Sequence, residues 1–211
     1  MINPGIEKYA EEHSSKHSQV LHELYRETNL KVMHPRMLSG SQQGRFLSML
    51  SHMIRPKNIL EIGTYTGYSA ICLSEGLAEN GKIHTLEIDR ELEYIAAKFF
   101  KKAGIEKQVI SYFGDALQLI PHLNMSFDLV FIDADKENYA NYYHLVFDKV
   151  RVGGYLLVDN VLWSGKVIQP IKKGDKDTKG IVAFNELVQN DDRVENVLLP
   201  LRDGLMLIRK K

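Results

Sequence analysis

Short apolar runs and longer amphipathic stretches alternate along the chain from residue 58 onward. Runs rich in β-branched and aromatic residues predict strands at Asn58–Ile62, Lys82–Ile88, Gln108–Tyr112, Phe127–Ile132, Tyr155–Val158, Val194–Pro200 and Leu205–Arg209. Between the first five lie segments of helical period: Ser69–Ala78, Arg90–Ala103, Ala116–Leu123 and Glu137–Val150. Repeated β-α units predict an α/β fold, a doubly wound and mostly parallel seven-stranded sheet with helices on both faces. The last two strands are separated by Leu201-Arg202-Asp203-Gly204, whose Asp-Gly pair signals an antiparallel hairpin at one edge.

Before residue 58 the pattern predicts two more helices, about Ile6–Thr28 and Ser41–Ile54, joined by a loop around Met33-His34-Pro35-Arg36. Pro35 fixes the break, and Ser39-Gly40 precedes the second helix as a cap. The whole chain, 1–211, reads as one domain in which residues 1–56 form a helical cap over the active site. Lys172–Asp177 is polar and contains a glycine, which predicts a mobile surface loop.

Composition narrows the function classes. The chain has 211 residues, with 27 basic and 27 acidic side chains. With no net field to attract it to nucleic acid or an anionic membrane, neither is an expected partner. No apolar run is long enough for a membrane span, and the N-terminus lacks a basic start followed by an apolar stretch. The single cysteine, Cys72, lies in an apolar helical stretch and reads as a small core residue. It cannot form an internal disulfide, so a reducing, cytoplasmic location is expected. His13 and His17 stand one helical turn apart, but no third metal ligand is near and a solvated helix face is expected.

The chemistry concentrates where apolar runs stop. Phe127–Ile132 leads into Asp133-Ala134-Asp135-Lys136, and Gly153–Val158 leads into Asp159-Asn160. If the two strands are neighbours in a parallel sheet, their carboxyl ends gather three carboxylates, an amide oxygen and an amine, where open α/β sheets bind ligands. Hard oxygen donors of this kind suit Mg²⁺ or Ca²⁺ rather than zinc. Asp133 alone could cap the following helix. Recurrence of acid and amide at the adjacent strand end favours metal ligation. Lys136 opposes the helix dipole there, so its charge needs another reason. A nearby divalent cation would favour the neutral amine by like-charge repulsion and make it usable as a base.

A second motif names the donor. Glu61-Ile62-Gly63-Thr64-Tyr65-Thr66-Gly67-Tyr68-Ser69 ends the first strand and opens a helix. Glycine at 63 allows a tight turn and close backbone approach to a ligand. A third glycine, which the dinucleotide fingerprint requires, is missing, and the Glu61 carboxylate would repel a pyrophosphate but accept an ammonium. One strand later Glu87 could accept hydrogen bonds from both hydroxyls of a ribose. A ligand with an amino-acid part and a nucleoside part fits: S-adenosylmethionine.

Taken together, E-I-G-T-Y-T-G-Y-S, L-E-I-D, G-D-A, F-I-D-A-D-K and D-N-V-L-W-S-G resemble the cation-dependent class I O-methyltransferases, the group of catechol and caffeoyl-CoA O-methyltransferases. The resemblance runs from about Met37 to the last strand, and it implies a Rossmann-like fold. For the cofactor, it implies that Ser39 touches the methionine part and that Glu61, Gly63, Thr64 and Ser69 surround its amino-acid end. Glu87 would bind the ribose, Ala116 would lie against the adenine, and Asp135 and Asp133 would stand beside the cofactor. Asp133, Asp159 and Asn160 match the metal ligands, for Mg²⁺ or another divalent cation such as Mn²⁺ or Ca²⁺, and Lys136 matches the catalytic base.

The implied reaction is Mg²⁺-dependent transfer of a methyl group from S-adenosylmethionine to a hydroxyl of an aromatic vicinal diol, such as a catechol, caffeate or caffeoyl-CoA. Members of the caffeoyl-CoA and bacterial branch are commonly homodimers. Ser164 stands where caffeoyl-CoA enzymes carry an asparagine that contacts substrate, which weakens transfer of that specificity. Trp163 could line an aromatic slot or cover the sheet edge. Two alternatives use other partners: methylation of a hydroxylated tRNA uridine by the same superfamily, and an NAD-dependent oxidoreductase or non-catalytic nucleotide-binding module. Charge balance argues against RNA, and the missing glycine against NAD.

Overall fold

In the computed structural model, which describes residues 4–211, the strands are β1 (Asn58–Ile62), β2 (Lys82–Glu87), β3 (Val109–Phe113), β4 (Phe127–Ile132), β5 (Val150–Asp159), β6 (Val194–Leu199) and β7 (Leu205–Lys210). They form a seven-stranded sheet in the order β3-β2-β1-β4-β5-β7-β6. The pairs β1/β4, β4/β5 and β2/β3 are parallel, whereas β7 runs antiparallel to both β5 and β6. The expected mostly parallel sheet with an antiparallel C-terminal hairpin is therefore present. Helices are α1 (Pro4–Glu12), α2 (Gln19–Lys31), α3 (Gly40–Ile54), α4 (Tyr68–Ser74), α5 (Glu93–Lys102), α6 (Ala116–Leu119), α7 (Tyr139–Phe147) and α8 (Lys176–Gln189). Residues 1–3 of the expected cap lie outside the described residues.

The chain divides into two compact units, one of Ile59–Gly63 and Asp115–Lys211, the other extending to Asn58 and including Thr64–Gly114. In the first, side chains on both faces of β1, β4 and β5 are buried, among them Leu60, Phe131, Ile132, Leu157 and Val158. Burying each such side chain contributes roughly 1.5–3 kcal/mol against the entropy of ordering the chain. In the second, Leu21 and Leu24 of α2, Leu47 of α3 and Phe99 of α5 are buried, and α3 packs along α4. Cys72 is buried as expected.

Four elements differ from the sequence pattern. Ile6–Thr28 is not one helix: α1 and α2 are separate, and Ser18 starts α2 by accepting a hydrogen bond from Leu21 N–H at 3.4 Å. The intervening polar residues have no apolar face to bury, so the break costs little. His13 and His17 therefore share no helix. His17 is half-buried between Ser41 O, at 2.5 Å, and the Tyr68 hydroxyl, at 3.0 Å, and not on a solvated face. Burial holds its imidazole below the ordinary value.

Ser39 is not a cap, since its backbone is already helical and its side chain makes no capping bond. Strand β5 begins at Val150, where helix was expected, because Phe127 pairs with Val150 while Leu129 pairs with Tyr155. The surplus residues form a bulge in which Gly153 takes φ +73°. Finally, Lys172–Asp177 is not wholly loop: α8 starts at Lys176, capped by Asp175, whose carboxylate accepts from Thr178 N–H at 3.1 Å. Ile181, Phe184 and Val188 make its buried stripe.

Candidate active site

In the first unit the parallel register decides the geometry. Ile132 of β4 pairs with Val158 of β5, so Asp133 and Asp159 are the next residues at neighbouring strand ends. Asp133 N–H donates to Ile62 O at 2.9 Å, which extends the β1/β4 ladder by one bond. Gly63, with φ +98°, passes so close that a Cβ there would stand 2.1 Å from Asp133 O. Glycine at 63 is thus demanded by the backbone of the acidic strand end as well as by any ligand. Glu61 is fully buried in β1, opposite Phe131.

Asp159 is 3 % exposed. Its Oδ1 accepts from Asn160 N–H at 2.7 Å and its carbonyl from the Tyr139 hydroxyl at 2.9 Å. Asn160 sits in the left-handed region at φ +59°, a conformation that asparagine tolerates better than most residues. Lys136 Nζ lies 2.9 Å from Asp133 Oδ1. The same ammonium stands 5.1 Å from the Tyr139 ring and 6.0 Å from the Trp163 ring, a cation–π setting that suits a charged amine. Asp135 is exposed and accepts from the Tyr142 hydroxyl and the Asn138 amide. Burial and the Asp135 carboxylate push the Tyr142 phenol up, so it remains a donor. Ala116 opens α6 directly after Asp115, which caps that helix by accepting from Leu117 N–H at 2.8 Å.

The donor set fits a hard divalent cation. Two carboxylates and an amide oxygen leave room for waters, as Mg²⁺ prefers, and the Lys136 ammonium on Asp133 shows that this strand end attracts positive charge. Among the described residues no group of three or more His, Cys, Asp or Glu side chains is arranged to hold a metal.

The second unit carries the glycine turn. Tyr65 at φ +51° and Gly67 at φ +88° turn the chain into α4. A Cβ at Gly67 would lie 2.6 Å from the Phe100 ring of α5, so glycine is required there by packing too. Glu87 ends β2 and accepts from Tyr65 N–H at 2.6 Å through Oε2 and from Asp89 N–H at 2.9 Å through Oε1. A carboxylate has about four acceptor sites, so these bonds orient it and leave part of its acceptor capacity open. Burial raises its proton affinity above the ordinary glutamate value, against the opposing backbone bonds. With Thr64, Tyr65, Ala96 and Phe113 it lines a cavity of about 60 Å³. Ser39 and Ser69 are buried in this unit and do not line that cavity. Thr28 of α2 donates to Thr66 at 3.2 Å, and the Tyr65 hydroxyl donates to His34 O at 2.9 Å, so the N-terminal helices pack on the turn. A larger hollow of about 570 Å³, around Glu186, Asp191 and Arg193, contains none of the expected site residues.

Three residues at the acidic strand ends escaped the sequence pattern. Tyr139 reads as core and is fully buried, yet its hydroxyl supports Asp159. Gly180 of α8 approaches so closely that a Cβ would meet Lys136 O at 2.5 Å. A glycine interrupting the helical period of 176–189 was its signal. Asp203, in the β6–β7 loop, had none beyond its place in a hairpin.

Comparison with known proteins agrees with both units. Residues 11–211 match the family model described as O-methyltransferase. The chain is 36 % identical over 185 residues to caffeoyl-CoA O-methyltransferase of Petroselinum crispum, covering 82 % of this chain and 77 % of that protein. Among solved structures, the O-methyltransferase TomG from Streptomyces achromogenes, in complex with S-adenosylmethionine, superposes with a TM-score of 0.91 at 27 % identity, covering 98 % of this chain and 96 % of that one. The Bacillus cereus O-methyltransferase in complex with S-adenosylhomocysteine gives a TM-score of 0.90 at 30 % identity, covering 98 % and 97 %. The chain belongs to the O-methyltransferase family and is an S-adenosylmethionine-dependent O-methyltransferase.

Proposed function

We propose that the enzyme methylates a hydroxyl of an aromatic vicinal diol, of the class of catechols, caffeate or caffeoyl-CoA, and that it needs Mg²⁺ or a similar divalent cation. The observation that carries this reading is the β4/β5 register, which sets Asp133 and Asp159 side by side with Lys136 Nζ 2.9 Å from Asp133. Asp133, Asp159 and Asn160 would hold the cation, whose charge would acidify the diol and orient it. With the cation on Asp133, like-charge repulsion would favour the neutral Lys136 amine, which could then take the hydroxyl proton. In this reading Glu87 binds the donor's ribose, Ser39 touches its methionine part, Glu61, Gly63, Thr64 and Ser69 surround its amino-acid end, Ala116 lies against the adenine, and Asp133 and Asp135 stand beside the cofactor. Much of the acceleration comes from holding oxygen and methyl carbon about 3 Å apart in line.

The same reading takes 1–211 as one methyltransferase domain whose residues 1–56 form a helical cap over the active site; the Thr28–Thr66 and Tyr65–His34 bonds, which tie this segment to the glycine turn, are consistent with it. It further takes the enzyme as a cytoplasmic homodimer: the chain has a single cysteine, which fits a reducing compartment, and the caffeoyl-CoA branch that it resembles is commonly dimeric. Methyl transfer should be measured with catechol, caffeate, caffeoyl-CoA and tRNA, with Mg²⁺ and with excess EDTA. Transfer to the diols in Mg²⁺ alone is the expected result. Undiminished turnover in EDTA would refute the metal, and transfer to tRNA alone would replace the acceptor.

A further inference from the structure

The segment that follows the amide ligand is held in an unfavourable backbone conformation. Asn160, Trp163, Ser164 and Gly165 take φ of +59°, +46°, +53° and +76°. L-residues with a Cβ adopt this region reluctantly, so neighbouring structure must over-determine it. The β6–β7 loop does so. Beyond the last β5/β7 pair, Asp159 with Leu205, Val161 N–H donates to Gly204 O at 3.2 Å and Leu162 N–H to Asp203 O at 2.9 Å. The Asp203 carboxylate then accepts from Ser164 N–H, within the left-handed turn itself. Gly204 allows this approach, since a Cβ there would lie 2.5 Å from Leu162 Cγ.

The turn presents Trp163. Its ring faces the Lys136 ammonium at 6.0 Å and the Lys166 ammonium at 5.7 Å. Its Nε1 is buried and has no hydrogen-bond partner among the described residues, a state that costs free energy and persists because the turn imposes it.

We propose that Asp203 is a positioning residue for methyl transfer: its carboxylate locks the left-handed turn at Ser164, and so fixes Trp163 and Asn160 relative to Lys136 and sets how the acceptor ring is presented. The inference rests on the site read under Proposed function, but its first test does not. Trp163 is the chain's one tryptophan, so intrinsic fluorescence reports on this turn directly.

Asp203→Ala should red-shift the emission and strengthen acrylamide quenching while far-UV circular dichroism stays unchanged. Asp203→Asn keeps an acceptor oxygen and should stay near the parent. Ser164→Gly in the Asp203→Ala background should restore much of the parent signal, because glycine adopts positive φ without the bond. In activity, Asp203→Ala should raise KM for the diol several-fold more than it lowers kcat, and move the ratio of the two mono-methylated products toward unity. Unchanged emission, quenching and product ratio in Asp203→Ala would overturn the proposal. Should that variant not fold, equal emission and quenching in Ser164→Gly alone and combined with Asp203→Asn support it, and a shift confined to the combination overturns it. A parent enzyme that methylates no diol would end the acceptor reading, leaving fluorescence to decide the role of Asp203.

Discussion

Lys136 and Glu87, expected from the sequence as base and ribose-binding acid, are both held by specific contacts. Lys136 Nζ lies against Asp133 and over two aromatic rings, beside the proposed metal ligands. Lys136→Ala should lower kcat by roughly 10²–10⁴-fold, the usual span for one general base. Donor affinity measured by calorimetry should hardly change, and an unaltered kcat would remove the residue from the proton transfer. For Glu87 the sign follows from burial, which raises its proton affinity. If Glu87 binds the ribose, its ionised form is the acceptor, so donor binding should be intact above the raised value and be lost as pH falls through it. That loss begins at higher pH than an ordinary glutamate would give. Glu87→Gln should weaken donor binding roughly 10–100-fold, the worth of a hydrogen bond to a charged group, and flatten this acid limb. Titrations at several pH values check both.

Elements place these side chains, and α8 shows how. It was not legible because its first turn hides in a polar, lysine-rich stretch and Gly180 interrupts its period. Asp175 supplies the cap, and Ile181, Phe184 and Val188 supply the apolar stripe. Alanine normally favours a helix interior over glycine by about 1 kcal/mol. At 180 the sign should reverse, since the new Cβ would stand 2.5 Å from Lys136 O and 2.7 Å from Glu137 Cα. Gly180→Ala should cost about 1–3 kcal/mol in urea denaturation and slow methyl transfer by displacing Lys136. A variant as stable and active as the parent would show that the turn has slack. By contrast β1, β2, β4 and the β6–β7 hairpin were legible, because strands covered on both faces are rich in apolar and β-branched residues and Asp-Gly turns chains back.

At the scale of the whole molecule the proposed cation site predicts a change in stability. A ligand that binds only the native state stabilises it by about 2.7 kcal/mol at 100 times Kd. In a chain of this size that raises Tm by about 5–10 °C. Mg²⁺ should raise Tm in this way, and Asp159→Asn should remove the shift; a parent Tm indifferent to Mg²⁺, Mn²⁺ and Ca²⁺ would count against the site. Residue types and periodicity by themselves determined the strands apart from the start of β5, the acidic strand ends, the glycine turn and the donor class, because each is a local rule of burial or of ligand chemistry. Tertiary structure alone decided that Ile132 stands beside Val158, that α8 presses on the Lys136 turn, and that Asp203 grips Ser164 across 39 residues of sequence. Those are contacts between segments whose local patterns are compatible with many partners, and only the packed core selects one.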